Sequence, residues 1–117
     1  MTIDELLLEA LAARDRFWFV QTLQIRDRTD ATVTLRFTIG PDLFVQVFFS
    51  QRSGRLSFAL VGAAGQLYGR DREHGLWHRH PFGQPERHTP TPEGMSSQPI
   101  GQFLTEVEEI LYTHDLI

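Results

Sequence analysis

The chain has 117 residues, 41% of them apolar, a formal net charge of −4 and no cysteine. Those bounds point to one domain, residues 1–117, with a real core. They exclude disulfide and thiolate chemistry, leave His and carboxylates as the ligands for any metal, and argue against a surface that coats nucleic acid.

Thr2-Ile3-Asp4-Glu5 reads as a capping box, so a helix is predicted to about Asp15. Ile3, Leu7, Ala10 and Leu11 fall at helical spacing and form its expected buried stripe. No basic segment followed by an apolar run opens the chain, so no secretory signal is expected and the expected setting is cytoplasmic. From Phe17 the period changes to two, with Phe19, Leu23 and Ile25 on one predicted strand face. Val33, Leu35, Phe37 and Ile39 alternate cleanly with Thr32, Thr34, Arg36 and Thr38, the pattern of a half-buried strand. Gly40-Pro41-Asp42 is a turn. Leu43 to Phe49 is apolar on both faces apart from Gln46, which predicts a central strand covered on both sides. Leu56, Phe58 and Leu60 alternate again, then Gly62-Ala63-Ala64-Gly65 turns the chain. A shorter strand follows from Gln66 to about Arg72, and Leu76 to His80 suits a sixth, ended by Pro81.

Residues 81–98 have no periodicity and hold four prolines, a long Pro-rich loop of a kind often tied to function. A last helix is predicted from Pro99, capped by Ser96 or Ser97. Its apolar stripe is Ile100, Phe103, Leu104, Val107, Ile110 and Leu111, with Glu106, Glu108 and Glu109 off it. The expected fold class is therefore α+β: an N-terminal helix, an antiparallel meander of five to six strands, and a C-terminal helix packed on the sheet.

Charge is unevenly spread. Residues 52–88 carry six arginines against three acids, while the two ends hold most of the carboxylates. All eleven basic residues are Arg and none is Lys, a bias that a GC-rich genome explains without function. The densest chemistry lies between Gly69 and Phe82: three histidines (His74, His78, His80), three arginines (Arg70, Arg72, Arg79), Asp71, Glu73 and Trp77. His88 follows in the loop. Imidazole serves near neutral pH as acid, base or metal ligand.

His78 and His80 are two apart, so on a strand they share a face, about 6–7 Å apart at the backbone. Trp77 and Arg79 point the other way, and a buried Arg79 would need a carboxylate, with Asp71 and Glu73 nearest in sequence. Tyr68 shares its face with Arg70 and Arg72, an aromatic beside two cations that suits stacking a base and holding its phosphate, or a protein interface. His114, near the end of the last helix, suits the negative end of the helix dipole. The spacing H-x-H-x7-H matches no HExxH or CxxC pattern, so the sequence assigns no metal and no cofactor. Three readings of the histidines stand side by side: metal-free acid–base chemistry, a small His-based metalloprotein, and solvated residues at a strand end.

The runs Gly65-Gln66-Leu67-Tyr68-Gly69-Arg70-Asp71, Gly75-x-Trp77-His78-Arg79-His80-Pro81 and Pro85-x-x-His88 resemble the TumE-type toxins, the toxin halves of two-gene prokaryotic toxin–antitoxin modules. The resemblance covers about residues 55–115. The family commonly has adjacent histidines where this chain has Trp-His-Arg-His-Pro. The resemblance implies a toxin-like protein with an antitoxin-like protein partner, and His78, His80 and His88 are the positions that match its signature. The order of elements is similar to the compact RelE-type and barnase-type ribonuclease folds, an analogy of fold alone.

As a metal-independent ribonuclease, the chain would use His78 or His80 as base and His88 as acid. Arg70, Arg72 and Arg79 would stabilise the phosphate of RNA, with Tyr68 beside them and Asp71 and Glu73 orienting the imidazoles. The competing expectation is a non-catalytic module that binds a protein or forms a homodimer through a sheet edge. No membrane is expected as a partner.

Overall fold

The computed structural model describes residues 1–117. The elements are α1 (Ile3–Arg16), β1 (Thr22–Arg28), β2 (Thr32–Gly40), β3 (Leu43–Ser50), β4 (Leu56–Gly62), β5 (Gly65–Glu73), β6 (Leu76–His80), β7 (Thr89–Pro90) and α2 (Pro99–Thr113). The seven strands form one antiparallel meander in chain order. The α+β class and the helix–meander–helix order follow the sequence pattern. The strand count is seven rather than five or six because Thr89 and Pro90 pair with Arg79 and His78, a ladder too short to leave a periodic signal.

Alternation divides the sheet into two faces. Val33, Leu35, Phe37 and Ile39 of β2, Val45, Val47 and Phe49 of β3, and Leu56, Phe58 and Leu60 of β4 are buried. They join Leu6 and Ala10 of α1 and Ile100, Phe103, Leu104, Val107 and Leu111 of α2 in one core. Phe103 stacks on Phe58 at 5.1 Å and on Tyr68 at 5.5 Å. No helix of the fold is long and apolar enough to cross a membrane.

The other sheet face is left open, and this corrects the expectation that β3 is covered on both sides. Phe44 and Phe48 are only half-buried there. The Arg36 guanidinium lies 3.9 Å from the Phe44 ring centre, and that of Arg55 lies 5.9 Å from Phe48. Arginine stems and planar heads thus shield apolar rings that a helix would otherwise cover.

Three further expectations are corrected. The buried stripe of α1 is Ile3, Leu6, Ala10 and Ala13, with Leu7 half-buried and Leu11 exposed. Leu6 and Ala13 continue the 3-4 spacing from Ile3 and Ala10, which turns Leu11 outward. Phe19 is buried but precedes β1, and Ile25 is 55% exposed because β1 is the sheet edge. Neither Ser96 nor Ser97 caps α2, and Gln98 makes no side-chain cap bond. Instead Glu9 of α1 accepts the backbone N–H groups of Ile100 at 3.3 Å and Gly101 at 3.0 Å. A carboxylate from one helix therefore satisfies the exposed donors and the positive end of the other. Burial pushes the Glu9 carboxyl up, and the two N–H bonds pull it part of the way back.

Glu9→Ala leaves those donors unmet and is expected to destabilise the fold by about 1 kcal/mol, the usual cost of losing a helix cap. Urea unfolding of the two proteins measures it. An unchanged midpoint would show that Glu9 does not act as the cap of α2.

Candidate metal centre

The site is built on the β5–β6 hairpin. His74 and Gly75 form its two-residue turn with φ of 52° and 76°, the left-handed pair that matches strand twist. That turn fixes Glu73 opposite Leu76, Asp71 opposite His78 and Gly69 opposite His80. Asp71, His78 and His80 consequently share the open face. His74 is spent on the turn and takes no part in the cluster.

On that face the histidines converge. The ring centres of His78 and His80 are 5.1 Å apart, of His78 and His88 5.0 Å, and of His80 and His88 4.4 Å. One nitrogen from each lies within 4.8 Å of those of the other two. Asp71 Oδ2 lies 2.8 Å from His80 Nε2 and 3.3 Å from His78 Nε2. Ligands held about 2.0–2.1 Å from a tetrahedral zinc lie about 3.3–3.4 Å from one another. The three imidazole nitrogens are gathered somewhat more widely than this, and Asp71 Oδ2 contacts His78 and His80 directly, so small side-chain movements would bring the four groups to one ion.

Neighbouring groups orient this set. Ser57 donates its hydroxyl to Asp71 Oδ1, leaving Oδ2 for the histidines. His80 Nδ1 lies 2.8 Å from the Pro85 carbonyl. A proton on Nδ1 is donated to that carbonyl, which can only accept, and Nε2 meets Asp71 Oδ2. An ion that took Nε2 as ligand would replace that contact and keep the carbonyl bond behind the ring. His80 is buried, His78 half-buried and His88 exposed, so the site has an inner wall and one solvent-facing ligand, contributed by the Pro-rich loop.

The arginines do not join them. Tyr68, Arg70, Arg72 and Arg79 occupy the helix-covered face, with Trp77 stacked on Phe58 at 6.4 Å. Arg70 is 3% exposed. Its Nη2 donates to Glu106 Oε2 at 2.8 Å and its Nε to Glu106 Oε1 at 3.2 Å, while Tyr68 donates its hydroxyl to Oε1 at 2.6 Å. Glu106 is therefore an anchor of α2 rather than a solvated acid. Arg72 donates to the Gly54 carbonyl and lies over Trp77. Arg79 pairs with neither Asp71 nor Glu73, and its buried Nε has no partner. Glu73 pairs with Arg55 at 3.4 Å, away from the imidazoles. Of the sequence-derived set, His78, His80, His88 and Asp71 come together. Arg70, Arg72, Arg79, Tyr68 and Glu73 do not. His114 stacks on Phe82 at 3.8 Å and ties the loop to the end of α2.

Sequence reasoning missed Ser57 and the Pro85 carbonyl. Ser57 stands opposite Asp71 only once the β4–β5 register is known, and a backbone carbonyl carries no sequence signal. No family model, no curated protein and no solved structure matches the chain.

Burial alone would raise the Glu106 carboxyl, but the bonds from Arg70 and Tyr68 hold it below the usual carboxylate range. Burial and the same bond push Tyr68 up to about 12. Because the folded Glu106 value is depressed, its contribution to stability is fully present above the unfolded carboxyl range. It is lost as pH falls through the folded value. Glu106→Gln is expected to cost about 2 kcal/mol at pH 7, with the gap to wild type narrowing in acid. Denaturant unfolding at pH 7 and pH 3 measures it, and a gap independent of pH contradicts the assignment.

Proposed function

We propose that the chain is a small His-based metalloprotein in which His78, His80, His88 and Asp71 take one divalent transition metal ion. The observation that carries this reading is the gathering of three imidazole nitrogens within 4.8 Å of one another, with Asp71 Oδ2 against two of the rings and Ser57 and the Pro85 carbonyl holding these groups from behind. Imidazole and carboxylate suit zinc, iron or nickel. Four protein ligands make a closed set of the structural kind. The ion ties the 81–98 loop, through His88, to β5 and β6. The resemblance to the TumE-type toxins supports a toxin-like setting with an antitoxin-like protein partner.

The metal-independent ribonuclease is the second reading, favoured by the contact of His80 with Asp71. It has less support. A base and an acid for phosphodiester cleavage stand on opposite sides of the phosphorus, whereas here the three imidazoles crowd together within 4.8 Å. The arginines meant for the phosphate lie on the opposite, helix-covered face of the sheet.

Protein purified without a histidine tag is expected to carry one divalent ion per chain by elemental analysis. At a hundredfold excess of free metal over its dissociation constant the ion adds about 2.7 kcal/mol, or about 10 °C in Tm for a domain of this size. His80→Ala and His78→Ala abolish the stoichiometric ion and the chelator-sensitive part of Tm. Ser57→Ala, which loosens Asp71, weakens metal affinity about tenfold. Native protein with no bound ion and a Tm indifferent to zinc and to EDTA rejects the reading. RNA cleavage that persists in EDTA and disappears in His80→Ala supports the second reading instead.

A further inference from the structure

The open sheet face carries a second polar site that the metal reading does not use. Along one register row Arg36, Gln46, Ala59, Gly69 and His80 are successive cross-strand neighbours. Four strand spacings of about 4.8 Å put Arg36 roughly 19 Å from His80. Around Arg36 the face hollows into a cleft of about 430 Å³. Gln24 and Arg26 of β1 and Arg36, Thr38 and Phe44 line it, and Pro41 and Asp42 of the β2–β3 turn border it.

Its two guanidinium groups are oriented but not neutralised. Arg36 lies over the Phe44 ring and donates from Nη2 to Gln46 Oε1 at 3.2 Å. Arg26 donates from Nη1 to Gln24 Oε1 at 3.0 Å. Both acceptors are neutral amides, so each positive charge is held in place and left uncompensated. Neither arginine forms an ion pair in a chain whose net charge is −4. Asp42 is the one acidic lining residue. The Arg36 Nε, like that of Arg79, is buried without a partner in the protein, a position that water or a bound group would satisfy.

The backbone also departs from regularity here. β1 pairs Ile25 with Leu35 and then Asp27 with Thr34, so Arg26 is the extra residue of a β-bulge. Bulges re-aim side chains and recur beside binding sites. Here the bulge lets Arg26 reach Gln24 on the same face as Arg36.

We propose that this cleft binds a small phosphate-bearing molecule, with Arg26 and Arg36 as its principal contacts. Two guanidinium forks match a phosphomonoester dianion or a diphosphate in charge and in planar donor geometry. With its oxygen occupied by Arg26, Gln24 has amide N–H groups free to donate. Thr22 and Thr38 share one hydrogen bond between their hydroxyls, which leaves a second hydroxyl proton free. These neutral donors suit a phosphoryl group with three oxygens better than a lone carboxylate. The volume lies in the range of small-molecule sites, and the acidic net charge disfavours a long nucleic acid.

Isothermal titration calorimetry of the full chain with pyrophosphate and with AMP tests this, with citrate as the carboxylate arm. Saturable binding is expected for pyrophosphate and AMP, at least tenfold tighter than for citrate. Arg26→Gln and Arg36→Gln should each weaken it about tenfold. Arg26 is exposed and lies on an edge strand, so its variant keeps the test meaningful even where Arg36→Gln lowers Tm. Arg52→Gln, at an exposed arginine of the β3–β4 turn outside the cleft, should bind as wild type does. The proposal is overturned by any of four results: no saturable binding of either phosphate ligand, equal or tighter citrate binding, affinity unchanged in Arg26→Gln, or an equal loss of binding in Arg52→Gln. The last would make the binding a general effect of positive charge.

Discussion

Everything distinctive in this molecule depends on the two-residue period of β5 and β6. Arg70 and Asp71 are neighbours in the chain and opposites in the fold, because successive side chains of a strand leave on opposite faces. Arg70 goes under α2 and meets Glu106; Asp71 goes to the open face and meets His78 and His80. The hairpin turn at His74-Gly75 sets the register, and a slip by one residue would exchange the two sets completely. Arg79 would then face solvent and His78 would face the helix.

The two faces support each other. A buried guanidinium without its carboxylate is costly, so the Arg70–Glu106 pair, reinforced by Tyr68, strongly favours one placement of α2 over β5. Arg70 also reaches Thr91, at 3.4 Å, just past β7. The loop that brings His88 to the cluster is thereby fastened at Thr91 on the helix side, at Phe82 against His114, and at Pro85 against His80. The carboxylates concentrated near the C-terminus are thus partly structural. Glu106 completes the sheet's covered face, while the corresponding acid at the N-terminal end, Glu9, completes the start of α2.

Much of this was legible in the sequence. The clean alternation of β2, the Thr2–Glu5 capping box, the start of α2 at Pro99 and the shared face of His78 and His80 all rest on local rules, and local rules suffice for them. What was not legible depends on knowing which face is covered. Tyr68, Arg70 and Arg72 read as an exposed cationic strip because nothing local distinguishes a strand face open to water from one beneath a helix. Glu106 read only as a residue off the apolar stripe of the last helix, because its partners are thirty-six and thirty-eight residues away. Phe44 and Phe48 read as core because the pattern does not reveal that arginines, rather than a second layer, shield them. Ser57 and Pro85 enter the site only through register and loop path.

An α+β fold with both helices on one side must do something with the other side. Here that face is neither covered by another layer nor made uniformly polar. It holds half-buried phenylalanines under arginines, a bulged edge strand, and at the far end three imidazoles around a carboxylate. The two chemical centres are electrostatically unlike. Asp71 and the histidines favour a cation, and the uncompensated Arg26 and Arg36 favour an anion. About 19 Å of sheet separates them at strand spacing, more than twice the physiological screening length, so neither charge substantially weakens the other. A single layer of helices gives the domain its core and its rigidity. The uncovered layer is what leaves room for both sites, and its rigidity comes from the buried face behind it.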